Sequence, residues 1–456
     1  MTAATAPFEK VLIANRGEIA IRVIRACRDL GISPVAVYSE ADRDALHVAL
    51  ADEAIEIGPA HATKSYLVPE HIVSAAVEAG AQAVHPGYGF LSEDSRLPEA
   101  CDAAGLTFVG PPAGVMAAVG DKVLARAAAT AAGVPVAPGS DGRLGSEEDA
   151  QAIAGEIGFP VMLKASAGGG GRGIRVVQDP DELAAAYRGA SAEAQAAFGD
   201  GGLFLEKLLV QARHIEVQVL ADRHGTVVHL GERDCSTQRR KQKLIEEAPA
   251  PGLDPGIREL LCTGAAEFAR GVGYVGAGTC EFLVDADGNA AFLEMNARIQ
   301  VEHGVTELVT GIDLVAEQLR IAAGLPLAFA QEDVVLRGAA IEFRINAEDP
   351  DQHFMPSPGP ITGWHAPDGP GVRVDTGFET GRVVQPFYDS LVAKLLVHGR
   401  DREQALARAR RALAEFQVEG ITTTLGLHRR LLDWNRLVRG EVDTEALETD
   451  LQAVTA

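Results

Sequence analysis

Lys164-Ala165-Ser166-Ala167-Gly168-Gly169-Gly170-Gly171-Arg172-Gly173 places five glycines in six consecutive positions, directly behind an apolar strand signal at 160–165. Such a run has no side chains to pack and costs backbone entropy, so it does not belong inside a strand or helix. A plain hairpin turn needs one or two glycines, not five. Five suit a flap whose backbone N–H groups close over phosphate oxygens. The P-loop template fails, because Ile174-Arg175 stand where Lys-Ser/Thr is required. Lys164, on the strand ahead of the loop, supplies the phosphate-facing charge instead. A second strand at 173–177 and a helix at 180–198 make the stretch a compact α+β segment.

Upstream, short apolar runs alternate with amphipathic ones. Strands are expected at 10–14, 35–38 and 83–85 and helices at 17–30 and 69–79. This rhythm implies a parallel sheet with helices outside it. The first turn is Asn15-Arg16-Gly17, with one glycine and no G-x-G-x-x-G, so a dinucleotide site is not expected. A connector follows at 111–136, with Pro111-Pro112, an Ala-rich helix at 121–132, and Gly133-Val134-Pro135. Beyond the glycine run, residues 211–300 read as alternating strands, clearest at 215–220, 226–230 and 279–284. A further strand is expected at 339–345 and a helix at 402–414.

The chain has 456 residues, enough for two or three structural units, and a formal net charge of −23. That charge argues against nucleic acid or an anionic membrane as the main partner. No apolar run approaches the ~20 residues of a membrane span, and the first ten residues do not read as a signal peptide. The five cysteines are far apart with no C-x-x-C pair, which signals neither a disulfide framework nor zinc. A cytoplasmic location is expected.

Four further clusters carry chemistry. Glu206-Lys207 lies within the apolar run 204–209, and after a phosphate loop it suits a hinge that reads an adenine edge. Glu281 and Glu294 flank an Asp285-Ala286-Asp287-Gly288-Asn289 turn, so a hairpin brings them to one site. Hard oxygen donors there suit Mg²⁺ or Mn²⁺ on ATP phosphates; two strand glutamates paired with Arg would be the structural alternative. Arg233, Arg239, Arg240, Lys241 and Lys243, with His214 upstream, read as an anion pocket or as an exposed salt-bridged loop. Finally, Asn296-Ala297-Arg298-Ile299-Gln300-Val301-Glu302-His303 follows the second carboxylate directly. Arg298 can fork onto a small oxyanion and Glu302 beside it can act as a base. Arg344, in the apolar run 341–345, can face developing negative charge, although alone it would read as a structural ion pair.

Together these segments resemble the biotin carboxylase component of biotin-dependent carboxylases, in the ATP-grasp superfamily. The resemblance runs from Ile13-Ala-Asn-Arg-Gly-Glu-Ile19 to about Leu432. It rests on His85-Pro-Gly-Tyr-Gly-Phe-Leu-Ser-Glu93, the glycine run, Glu232-Arg-Asp-Cys-Ser236, the segment from Glu294 to His303, and Arg344-Ile-Asn-Ala-Glu-Asp-Pro350. It implies an α/β and α+β chain: an N-terminal parallel-sheet unit (1–110), a connector (111–136), a mobile ATP-grasp lid (137–210), an ATP-grasp core (211–335) and a C-terminal mixed unit (336–456). It implies ATP contacts at Lys122, Lys164, Gly168, Gly169, Gly170, Gly171, Glu206, Lys207, Leu209, His214 and Gln238. The metal, Mg²⁺ or Mn²⁺, falls to Glu281, Glu294 and Asn296. Bicarbonate falls to Lys243, Arg298, Gln300, Val301 and Glu302, and biotin to Tyr88 and Arg344. In that reading Glu302 is the base, with Arg298, Lys243 and Arg344 completing the catalytic set.

The chain departs from many relatives at Lys241, where they carry His, and at Pro370, where dimeric relatives often carry an aromatic residue. Positions matching Arg22, Arg25 and Asp29 support a homodimer or larger complex. The Ala-Met-Lys-Met biotinylation segment is absent from the sequence. Biotin is therefore expected on a separate carrier protein, alongside a carboxyltransferase subunit of the acetyl-CoA or propionyl-CoA type. The alternative is another ATP-grasp ligase that passes an acyl phosphate to an amine.

Overall fold

The structure is a computed structural model that describes residues 7–166 and 174–455, so the glycine run at 168–173 lies outside the described residues. Near the N-terminus, β1 (Lys10–Ile13), β2 (Ser33–Tyr38), β3 (Glu53–Glu56), β4 (Ala83–His85) and β5 (Thr107–Phe108) form a parallel sheet in the order β3-β2-β1-β4-β5. Val11, Leu12 and Ile13 are fully buried, as are Val35, Ala36 and Val37. Uninterrupted apolar triplets of this kind mark strands covered on both faces. Helix α1 (Gly17–Asp29) starts soon after β1 and buries Ile19, Val23, Ile24 and Cys27.

The strand order reverses at β1 and β4, and the loops after these two strands meet. Asn15 Nδ2 donates to the carbonyls of Pro86 and Tyr88, each at 2.7 Å. Gly87 between them has φ +63°, and a Cβ there would lie 2.9 Å from Asn15 Nδ2, so the close approach requires glycine. A crevice at such a reversal is where open α/β sheets place ligands.

The connector helix α2 (Lys122–Ala131) is capped by Asp121, whose side chain accepts from the N–H groups of Val123 and Leu124. A small antiparallel sheet follows, ordered β7-β6-β8, from β6 (Val161–Ala165), β7 (Ile174–Val177) and β8 (Leu203–Lys207). Helix α3 (Pro180–Phe198) covers it with Leu183, Ala190 and Ala194.

The rest of the chain is organised by an antiparallel sheet of eight described strands. These are β9 (Arg213–Ala221), β10 (Val227–Arg239), β11 (Gln242–Ala248), β12 (Gly276–Val284), β13 (Ala290–Asn296), β14 (Ala339–Asn346), β15 (Val372–Thr376) and β16 (Leu391–Gly399). Their order is β13-β12-β9-β10-β11-β14-β16-β15. Helices α4 (Pro255–Gly271), α5 (His303–Thr310) and α6 (Arg402–Glu415) pack on it.

Two features differ from the sequence reading. Strand β10 runs on to Arg239 rather than stopping near Leu230, because the polar residues from Glu232 to Gln238 are buried on both faces of the sheet. Helix α4 stands where only strands are expected. Its start is nevertheless written locally: Asp254 accepts from the N–H groups of Gly256 and Ile257, and Pro255 occupies the first turn. Among the described residues no helix is long and apolar enough to cross a membrane.

Candidate active site

Strands β12 and β13 form the expected hairpin. Asp285 closes it by accepting from the N–H groups of Asp287 and Asn289 at 3.0 and 2.8 Å. Glu281 and Glu294 are direct register partners across it. Glu281 is crowded by donors: His214 Nε2 at 3.0 Å, Lys243 Nζ at 3.1 Å, Asn296 Nδ2 at 2.9 Å and Gln300 Nε2 at 3.2 Å. Burial pushes its carboxyl up, but Lys243 and His214 more than offset this and hold it well below the usual range. Glu294, half-buried, has no hydrogen-bond or ion-pair partner among the described residues. Burial, and after it the Glu281 charge, push its carboxyl up. An unpartnered carboxylate facing a second one, with an amide oxygen on Asn296 nearby, is a donor set that suits a hard divalent cation.

Glu302, fully buried, immediately precedes α5. Lys243 Nζ donates to one of its oxygens at 2.8 Å and Arg344 to the other at 3.0 Å. Burial raises its carboxyl, yet Lys243, Arg344 and Arg233 together hold it well below the ordinary value, so it is ionised and can accept a proton. Lys243 itself reaches three carboxylates, Glu216 at 2.6 Å, Glu281 and Glu302. Burial opposes its charge, but these three glutamates keep it an ammonium. Arg344 also donates to fully buried Glu246 at 2.5 Å. Burial dominates at Glu246 and pushes it up to about 7 in spite of Arg344.

Arg298 is splayed over three acceptors: Glu93 at 3.0 Å, the Gln300 amide oxygen at 2.8 Å and the Asn296 amide oxygen at 2.9 Å. Because it extends directly from β13, the segment 298–302 lies as a strap between the carboxylate hairpin and Arg344. His214, Lys243, Glu281, Asn296, Arg298, Gln300, Glu302 and Arg344 thus form one continuous polar cluster. Gln238 is the β10 register partner of Lys243 at its margin.

The lid residues form a second group. Lys164 pairs with Glu206, which also accepts from Arg126 at 2.7 Å. The Lys207 ammonium donates to the carbonyls of Gly158 and Phe159 at 3.1 and 2.8 Å, and Leu209 follows in the loop after β8. No side-chain hydrogen bond among the described residues joins Lys164, Glu206 or Lys207 to the main cluster. Lys122, at the start of α2, tempers the upward shift of Glu294. Tyr88, on the loop after β4, donates its hydroxyl to Glu18.

The run of cations is not a single pocket. Arg233 is fully buried and tied to Glu216 at 2.5 Å, Gln218 at 2.8 Å and Thr306 at 2.9 Å. Arg239 stacks over Phe354, 4.0 Å from the ring centroid, and Arg240 and Lys241 are exposed at the hairpin tip with φ of 47° and 65°, so of the cations from 239 to 243 only Lys243 turns into the cluster. The sequence reading passes over Glu216, Glu246, Glu18 and Glu93. For Glu216 a signal exists: His214-Ile-Glu-Val-Gln218 alternates polar and apolar residues while the strand is buried on both faces.

A lid sheet, a carboxylate hairpin and a buried cationic cluster are the working parts of an ATP-grasp enzyme. Three family models match in succession: biotin carboxylase N-terminal domain over 7–116, carbamoyl-phosphate synthase L chain ATP-binding domain over 121–330, and biotin carboxylase C-terminal domain over 342–449. A biotin carboxylase of Pseudomonas aeruginosa is 54% identical over 97% of this chain and 99% of its own length. Biotin carboxylase 1 of Bacillus subtilis is 52% identical over 97% of this chain and 98% of its own. The biotin carboxylase domain of Hydrogenobacter thermophilus 2-oxoglutarate carboxylase, a dimer solved with MgADP, ADP and bicarbonate, superposes with a TM-score of 0.92 at 49% identity, covering 98% of both chains. The chain belongs to the biotin carboxylase family and is an ATP-dependent ligase.

Proposed function

We propose that this chain uses ATP and bicarbonate to carboxylate N1 of biotin, with Glu302 as the base that starts the reaction. The observation that carries this is the position of Glu302, ionised and buried between Lys243 and Arg344, with one carboxylate oxygen on each. Bicarbonate is held by Lys243, Arg298, Gln300 and Val301, and Glu302 removes its proton. The bicarbonate oxygen takes the γ-phosphoryl group of ATP, giving ADP and carboxyphosphate. A divalent ion held by Glu281, Glu294 and Asn296 would neutralise charge on the ATP phosphates. Carboxyphosphate then splits to CO₂ and phosphate, the phosphate takes the N1 proton of biotin, and N1 attacks CO₂. Arg344 faces the negative charge that develops on the ureido oxygen, beside Tyr88. Lys122, Lys164, Glu206, Lys207, Leu209, His214 and Gln238 hold ATP, and the lid over them excludes water from carboxyphosphate.

The biotin carboxylases this chain resembles are matched over 98–99% of their own length, which supports a separate carrier protein for biotin that also serves a carboxyltransferase subunit. The final acceptor, acetyl-CoA, propionyl-CoA or a non-CoA molecule such as urea or pyruvate, is decided by the proteins that co-purify with the chain. A homodimer is supported by the dimeric Hydrogenobacter thermophilus relative, 49% identical over 98% of both chains. Five free, buried cysteines support a cytoplasmic location. ATP hydrolysis measured with and without bicarbonate and free biotin tests the reaction. Stimulation by the two together is expected; stimulation by an amino acid instead would point to a different ligase.

A further inference from the structure

Lys394 lies in the middle of β16, fully buried, opposite Arg344 on β14 and Asp375 on β15. A buried ammonium is costly unless its donors are satisfied, so its acceptors reveal what it is for. Its Nζ lies 2.8 Å from the Val301 carbonyl oxygen and 3.3 Å from Glu18 Oε2, with Asp375 Oδ2 further off at 3.8 Å. Asp375 is already matched by Arg373 at 2.7 Å. The other oxygen of Glu18 accepts the Tyr88 hydroxyl. One charge therefore grips two parts of the proposed active site that come from distant segments of the chain. Val301 lies on the strap next to Glu302, and Glu18 sits at the start of α1 and holds Tyr88.

We propose that Lys394 is a positioning residue that fixes the distance between the bicarbonate strap at Val301–Glu302 and the biotin-side residue Tyr88, so that CO₂ is released where biotin N1 can capture it. The inference rests on the biotin carboxylase reading. Transfer of a short-lived product between two bound molecules depends steeply on their separation, and a displacement near 1 Å can cost about 100-fold in rate. Neither Val301 nor Glu18 is among the residues assigned to ATP, so the loss should appear in the coupling of the two steps more than in ATP turnover.

The test is the number of biotin molecules carboxylated per ATP hydrolysed, measured with free biotin on the purified chain. In Lys394→Met this ratio is expected to fall at least tenfold, with a raised KM for biotin. A residue with only a structural role would lower the melting temperature and both rates together and leave the ratio alone. An unchanged ratio in a folded Lys394→Met chain overturns the proposal. If that variant does not fold, Glu18→Gln decides: it still accepts from Tyr88 but presents no charge to Lys394. A lowered ratio supports the proposal and an unchanged one overturns it. Absence of any turnover dependent on biotin and bicarbonate in the unmodified chain would overturn the underlying reading and the role of Lys394 with it; normal turnover with an unchanged variant ratio overturns the role alone.

Discussion

Glu281 and Glu294 face each other in register across the β12–β13 hairpin, yet the protein neutralises only one of them. Glu281 has Lys243 and His214 against it, whereas Glu294 has no ion-pair partner among the described residues and is pushed up by burial and by Glu281. A divalent cation held by these two carboxylates would relieve the imbalance. Glu294→Gln should therefore raise the Mg²⁺ concentration for half-maximal ATP turnover by about 10- to 100-fold, the range lost when a metal site is weakened. Titrating activity against Mg²⁺ at saturating ATP measures it.

Glu302→Gln removes the proton acceptor while keeping the side chain's shape. Bicarbonate-dependent turnover should fall by about 10²- to 10⁴-fold, the usual contribution of a general base. ATP binding, measured by calorimetry, should stay within a few-fold of the unmodified chain. Retained turnover would remove Glu302 from its assigned role.

Arg233 is a structural cation. It is fully buried, and its partners Glu216, Gln218, Thr279 and Thr306 come from β9, β12 and α5. Arg233→Met should cost about 3–5 kcal/mol, because Glu216 loses one of its two buried counter-charges. Urea unfolding measures this, and Arg233→Met combined with Glu216→Gln should recover part of the loss.

Three buried histidines predict the acid limit of stability. Burial lowers His47 and His428 to about 4 and His85 to about 3, against 6.5 when unfolded. The unfolded chain therefore binds more protons in the interval between, and stability present above pH 6.5 is lost as pH falls through it. The melting temperature should be lower at pH 5 than at pH 7. His428 Nε2 lies 2.7 Å from the Arg344 carbonyl oxygen, so His428→Gln keeps a donor there and should show a smaller loss over the same interval.

Much of the fold is legible locally. The apolar triplets of β1 and β2, the Asp285–Asn289 turn and the amphipathic α1 each carry their signal within a dozen residues, and the structure follows them. The misses at β10 and at the buried charges share one cause. Polar residues that point into a closed site look like solvated positions, so the sequence reading ends β10 at Leu230 and passes over Glu216, Glu246 and Lys394. It also groups Arg240 and Lys241 with Lys243, because adjacency in sequence does not show that a hairpin tip turns them outward.

By itself the sequence determined the element types of the N-terminal sheet and the lid, the glycine run, the hairpin that pairs Glu281 with Glu294, and the family to which these motifs belong, since each depends on residues close together in the chain. Only the tertiary structure decided which charge meets which: Lys243 with Glu302 59 residues away, Arg344 with Glu246 98 away, and Lys394 with the Val301 carbonyl 93 away. Those pairings come from strand order and register in the eight-stranded sheet, and burial sets their strength. Neither property is a function of local sequence.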